Sequence, residues 1–174
     1  IFPAVSDMVR ASLVERLAVM PKQPMISVLL WIESPSPRAH LARTVDSLCC
    51  QLYPYWELCV TGSALLSRHD RDWLRKKAQA DSRIRLLSDV GKVGLSERLN
   101  NALFSAGGSH VITLRVGDRL AEQALYRIAE SVAADHADIV YSDEVLCSEG
   151  GVEVVHLFKP MFSPEYLRSH HYIG

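Results

Sequence analysis

Five short runs of β-branched and aliphatic residues recur along the chain, each separated from the next by a helix-length stretch. They are ISVLLWI at 26–32, WELCV at 56–60, RIRLL at 83–87, HVITL at 110–114 and DIVYS at 138–142. Strands joined through helices need crossover connections, so they run parallel, and a parallel sheet must be covered on both faces. Crossover handedness then selects a Rossmann-like α/β sandwich of three layers, with a mostly parallel sheet between helices.

The intervening stretches carry their own signals. Residues 6–20 read as a helix capped by Ser6, with Val9, Leu13, Val14, Leu17 and Met20 at helical spacing. PKQP (21–24) ends it, dividing an N-terminal helical extension, 1–23, from an α/β domain, 24–174. Its stripe is expected to pack on the sheet or a neighbouring domain rather than on a membrane. Ser36 is the expected cap of the next helix, with Pro37 in its first turn and Leu41, Val45, Leu48 and Leu52 as its buried face. Arg68–Ala80 is a charged helix anchored by Trp73 and Leu74. A helix over 95–106, capped by Ser96, is expected to stop at a left-handed Gly107-Gly108. A further helix spans 121–134. VEVVHLF (152–158) alternates like an antiparallel or edge strand, and Ser163-Pro164 opens a short helix.

Composition excludes several classes. The net charge of −1 and pI near 6.7 leave no footprint for nucleic acid and no polybasic run for an anionic surface. The longest apolar run, 26–32, is far short of the ~18 residues a transmembrane helix requires. Asp7, Arg10, Glu15 and Arg16 interrupt the region a signal peptide would keep apolar. Cys49, Cys50, Cys59 and Cys147 lack metal-knuckle spacing and read as thiols in a reducing, cytoplasmic compartment. A chain opening on Ile1 reads as part of something longer.

In such sheets ligands dock outside the carboxyl ends of the strands. There the sequence places WIESP, VTGSA, SDVGKVGLS, YSDEV and an Arg-Val-Gly-Asp corner, Arg115 to Asp118. Gly94 and Ser96 open a helix beside Lys92, which suits a phosphate or simply a capped helix. Asp143 and Glu144 suit a cation, a sugar hydroxyl or plain solvent. Adjacent strand residues face opposite ways, so joint chelation requires that the strand has ended. His170-His171 has no suitably spaced third ligand, and Ser63 with His69 or Asp70 forms no nucleophile elbow.

Taken together, PMISVLL, TVDSLCCQLYPYWELCV, DSRIRLLSDVGKVGLSERLNNAL, AEQALYRIAE, DIVYSDE and FKPMFSPEYLRSHHYIG resemble the first part of the inverting family 2 glycosyltransferases. The likeness spans about residues 24–174. Its most specific pieces are Gln51-x-Tyr53-Pro54-x-Trp56-Glu57-Leu58, Tyr141-Ser142-Asp143-Glu144, and Phe158-Lys159-Pro160 through Tyr172-Ile173-Gly174. It implies a GT-A fold, a nucleotide-diphosphate sugar donor, Mg²⁺ or Mn²⁺, and a saccharide or lipid-linked acceptor, as in polysaccharide biosynthesis. The reaction would be one in-line displacement with inversion, at the inner face of a membrane where the acceptor is lipid-linked.

The chain departs from that pattern at the strand ends. Pro-x-Tyr-Asn after the first strand reads Trp31-Ile32-Glu33-Ser34, and an Asp-Asp pair after the second reads Gly62-Ser63. The metal-binding Asp-x-Asp falls on Arg115 and Gly117, leaving Asp118 as the matching carboxylate just beyond it. Asn100 matches a loop-helix asparagine, with Leu99 where an arginine often precedes it. The resemblance thus nominates Glu33, Ser63, Lys92, Gly94, Ser96, Asn100, Arg115, Asp118, Asp143 and Glu144 for nucleotide-sugar binding. It assigns no metal ligand, and expects the catalytic base beyond Gly174. Three readings stay open: a non-catalytic scaffold domain of a larger chain, a metal-independent transferase using Arg115 with Lys92 or Arg98, and a conventional enzyme whose metal moves to Asp118 and Asp143.

Overall fold

The computed structural model describes residues 5–88, 94–135, 137–148, 152–170 and 172–173. A four-stranded parallel sheet is built from β1 (Ile26–Trp31), β2 (Trp56–Thr61), β3 (Ile84–Leu86) and β4 (His110–Arg115), in the order β3-β2-β1-β4. Helix α1 (Asp7–Ala18) precedes it. Then α2 (Arg38–Cys49), α3 (Arg68–Ala80) and α4 (Leu95–Ser105) make the crossovers, and α5 (Ala124–Asp135) follows β4. A separate antiparallel pair, β5 (Glu144–Cys147) and β6 (Glu153–Leu157), leads into α6 (Pro164–Ser169).

The two central strands are buried along nearly their whole length, as an interior parallel sheet requires. On one face Val28, Leu30, Leu58 and Val60 pack with Leu41, Val45 and Leu48 of α2, Leu74 of α3 and Leu125, Tyr126 and Ala129 of α5. On the other, Leu29 and Cys59 meet Ala102 of α4. Leu13 of α1 joins the larger cluster, with Val5, Leu17 and Met20 against it, while Val9 and Val14 face solvent. Arg10–Glu122 and Arg16–Glu130 ion pairs fasten α1 from outside.

The polar interior is specific. Ser27 donates to Glu57 Oε1 across β1 and β2 (2.6 Å), and the Gly107 N–H donates to the same oxygen (2.6 Å). Gly108 N–H donates to Ser27 Oγ (2.9 Å). Burial pushes the Glu57 carboxyl up, but the hydrogen bonds from Ser27, Gly107 and Arg85 outweigh it and hold the group below its ordinary 4.5.

Several expectations are corrected. Ser36 does not cap α2: the Pro37 carbonyl opens the helical ladder by accepting from His40 and Leu41, and Ser36 Oγ donates back to Ser34 O. Gly94, not Ser96, is the N-cap of α4, because its carbonyl accepts the first helical bond from Arg98. Gly107-Gly108 is no left-handed stop; Ala106 ends the helix in extended backbone. Gly108 instead allows close approach, since a Cβ there would come within 2.6 Å of Ser27 Oγ and 2.7 Å of Met25 O. DIVYS forms no fifth sheet strand: residues 138–142 have no ladder and Ile139 is exposed. The paired strand there is β5, and β6 is antiparallel to it, as the 152–158 alternation predicts. Among the described residues no helix is long and apolar enough to cross a membrane.

Candidate functional site

Strand order fixes where a ligand fits. The chain moves outward from β1 through β2 to β3, then returns to place β4 on the other side of β1. The connections leaving β1 and β4 therefore diverge, and in open α/β sheets the carboxyl ends of such a pair are where a ligand is expected. Trp31 ends β1 and Arg115 ends β4, directly opposite each other in the register. Their side chains meet, with the Arg115 guanidinium 4.9 Å from the centre of the half-buried Trp31 ring.

The corner behind Arg115 is closed by backbone contacts. Its N–H donates to Asp118 Oδ2 (2.8 Å), and the Asp118 N–H returns to Arg115 O (3.1 Å). Gly117 supplies the φ of +106° this corner needs, and its N–H donates to Thr44 Oγ1 of α2 (2.9 Å). After β2, Gly62 turns the chain at φ +82°, so close beneath β1 that a Cβ would lie 2.2 Å from Ile32 O. Ser63 then starts a short 3₁₀ turn, Ser63–Leu65. Glu33 is exposed just past β1. Arg98 reaches over from α4, donating to Ile32 O (3.3 Å). The carboxyl ends of the strands thus carry Trp31, Glu33, Ser63 and Arg115, with Asp118 folded back on the end of β4 and Arg98 reaching Ile32 O.

The other nominated residues lie differently. Gly94 and Ser96 are exposed at the start of α4, with Asn100 one turn further along. Lys92 lies outside the described residues. Asp143 and Glu144 are bound to Lys159: its N–H donates to Asp143 Oδ1 (2.8 Å), its ammonium pairs with Glu144, and the same Nζ donates to Ile173 O (2.7 Å). Tyr141 donates to Pro160 O (2.8 Å), and Tyr172 Oη accepts from Ser163 N–H (2.9 Å). The YSDE, FKP and YIG segments therefore hold one another. Gln51, Tyr53 and Glu57 are likewise structural. Gln51 Oε1 caps Leu125 N–H at the start of α5 (3.0 Å), and Tyr53 donates to Pro24 O (2.7 Å).

These donors do not fit a hard divalent cation, which takes several oxygen ligands at once. Asp118 is turned onto backbone and Asp143 and Glu144 onto Lys159. Among the described residues no three His, Cys, Asp or Glu side chains gather closely enough to hold an ion. A cation brought within ~4 Å of Arg115 would meet a repulsion of roughly 4 kcal/mol per unit of its charge, at an effective dielectric near 20.

Sequence reasoning passed over Trp31 and gave Arg98 only a supporting part. Trp31 registers in the sequence as a replaced position; only the pairing of the two strand ends puts it under Arg115.

The chain's likeness to known proteins agrees with this architecture. A crystal structure of S. aureus TarS 1-349 in complex with UDP superposes with a TM-score of 0.60 at 18% identity, over 72% of this chain and 37% of that one. The mannosyltransferase PcManGT from Pyrobaculum calidifontis, in complex with GDP-Man and Mn²⁺, gives 0.53 at 20% identity, over 81% and 42%. At that identity the likeness is one of fold, the GT-A sandwich. In sequence, the chain is 30% identical over 152 residues to "Uncharacterized protein y4gI" of Sinorhizobium fredii, and 29% identical over 160 residues to the O-antigen biosynthesis protein RfbC of Myxococcus xanthus. It spans 17% of the first relative's length and 12% of the second's. The sequence model of glycosyl transferase family 2 matches residues 37–170, from the cap of α2 through α6, so the chain belongs to that family.

Proposed function

We propose that this domain is the donor-binding part of a longer glycosyltransferase that builds a surface polysaccharide, taking a nucleotide-diphosphate sugar in the β1–β4 crevice. The carrying observation is the meeting of Trp31 and Arg115 at the one place where strand order reverses. An aromatic face beside a guanidinium suits a ligand that joins a flat base to a diphosphate. Glu33 and Ser63, on the β1 and β2 side, are the groups for its nucleoside hydroxyls. The UDP and GDP-Man bound by the two structural neighbours, and the O-antigen role of the Myxococcus relative, support this reading. The acceptor, saccharide or lipid-linked, would meet other parts of the longer chain. A nucleotide-sugar donor puts the reaction in the cytoplasm, at the inner membrane face where the acceptor carries lipid.

Titration of ¹⁵N-labelled protein with UDP, GDP and dTDP tests this, with the Trp31 indole resonance assigned by Trp31→Phe. At least one nucleotide should move that resonance and the Arg115 to Asp118 amides. If none moves them, the donor site is refuted. A second reading, a scaffold that positions a partner domain, is favoured by one observation: Asp118, Asp143 and Glu144 are all committed to contacts within the chain. It predicts an unchanged spectrum with every nucleotide.

A further inference from the structure

We infer that the donor diphosphate is held here by the Arg115 guanidinium, braced on Trp31, in place of a divalent cation. This rests on the donor-site reading above and adds to it how the charge is met.

The mannosyltransferase neighbour is in complex with Mn²⁺ as well as GDP-Man. In this chain the carboxyl end of β4 presents a cation of its own. Arg115 is the last residue of β4, so its side chain starts from the end of a paired strand rather than a loose loop. Its guanidinium lies over the Trp31 ring at 4.9 Å. That contact limits the rotamers of a long side chain, so less freedom remains to be lost on binding. A guanidinium's planar fork of N–H donors fits two phosphate oxygens at once. Among the described residues no carboxylate pairs with the Arg115 side chain. Asp118, its acidic neighbour, is held by the backbone N–H of Arg115, and Gly117 ties the corner to Thr44. A second guanidinium, Arg98, stands at the adjoining end of β1 with one nitrogen on Ile32 O. Arg115, at the reversal point, offers the positive charge that a bound metal would otherwise supply.

Calorimetric titration of the 174-residue chain with UDP, GDP and dTDP, each with EDTA and then with Mn²⁺, tests this. Arg115→Ala, Arg115→Lys and the bare nucleoside complete the set. We expect affinity unchanged by EDTA and about tenfold to a hundredfold weaker in Arg115→Ala, the range of lost charge-assisted hydrogen bonds. Arg115→Lys keeps the charge without the fork and should recover only part of it. Nucleoside binding should not respond to either variant. Arg115 is exposed, and circular dichroism before titration checks that each variant is folded. Binding that needs Mn²⁺, or that survives Arg115→Ala undiminished, overturns the inference while leaving the donor site standing. No binding under any condition overturns the donor site and this inference together.

Discussion

Replacing Glu57 with glutamine changes one atom at the junction of β1, β2 and the α4–β4 connection. The native carboxylate takes Ser27 Oγ and Gly107 N–H on one oxygen and Arg85 Nη1 on the other, each at 2.6 Å. A glutamine carbonyl keeps the first two, although bonds to a neutral acceptor are roughly half as strong. Its amide then faces the Arg85 guanidinium, donor against donor. Complete removal of one partner from a buried pair costs about 3–5 kcal/mol. Arg85, however, is 43% exposed and can rehydrate, whereas Glu57 at 7% cannot. The loss should therefore be about 2–3 kcal/mol, the scale of a single charge-assisted hydrogen bond. For a chain of this size that is roughly 5–10 °C in Tm.

The effect must also depend on pH. Glu57 titrates below its ordinary value in the folded protein, so its contribution is complete above about 4.5 and is lost as pH falls through the depressed folded value. Glutamine does not titrate. Urea unfolding followed by circular dichroism should thus give a gap between the two proteins that is flat from neutral pH to about pH 5, then closes in acid. A gap under about 1 kcal/mol at neutral pH, or one that persists in strong acid, would refute the reasoning.

Three further outcomes follow from the same contacts. Gly62→Ala combines a left-handed backbone with a Cβ 2.2 Å from Ile32 O, and should cost about 2–4 kcal/mol in urea unfolding while shifting the Trp31 indole resonance. Lys159→Met removes the shared partner of Asp143, Glu144 and Ile173. Hydrogen exchange should rise in β5 and β6 and stay unchanged in β1 and β2. Tyr53→Phe deletes a buried hydroxyl's bond to Pro24 O and should lower stability by about 1 kcal/mol, measured by thermal melting.

The sheet was legible because its signal is redundant. A parallel strand buried on both faces needs a run of apolar residues, as in β1 and β2, and the edge strands β3 and β4 also fall within a residue or two of the β-rich runs. DIVYS misled because it has the composition of a strand without a strand's partners, and Ile139 stands exposed where burial was expected. The caps at Ser36 and Ser96 failed for a different reason. A hydroxyl near a helix start is only one way to satisfy that end, and Pro37 and Gly94 open their helices through backbone carbonyls instead. For Gly107-Gly108 the sequence records a missing Cβ but not its cause. The cause at Gly108 is proximity to Ser27 rather than positive φ. At the site, Arg115 and Asp118 were visible as charges after a strand. Their relation, a carboxylate turned onto the backbone and a guanidinium laid over Trp31, comes from register, which one sequence does not display.

The residues that hold the fold and those that define the crevice are separable, and that separation lets a glycosyltransferase scaffold change its charge. Gln51 secures α5, Tyr53 secures the entry to β1, and Glu57 ties two strands to the α4–β4 connection, all away from the carboxyl ends. Arg115 and Asp118, by contrast, have exposed side chains. The fixed part of their corner is made by N–H groups, a carbonyl, Gly117 and Thr44. A guanidinium at position 115 therefore costs the sheet little, because the side chain is exposed and its charge stays hydrated. What it alters is the charge carried at the end of β4, a cation laid over Trp31. A pocket of carboxylates attracts a diphosphate only after a metal has inverted its charge. If Arg115 meets the diphosphate as inferred above, affinity should weaken with added salt rather than with a chelator.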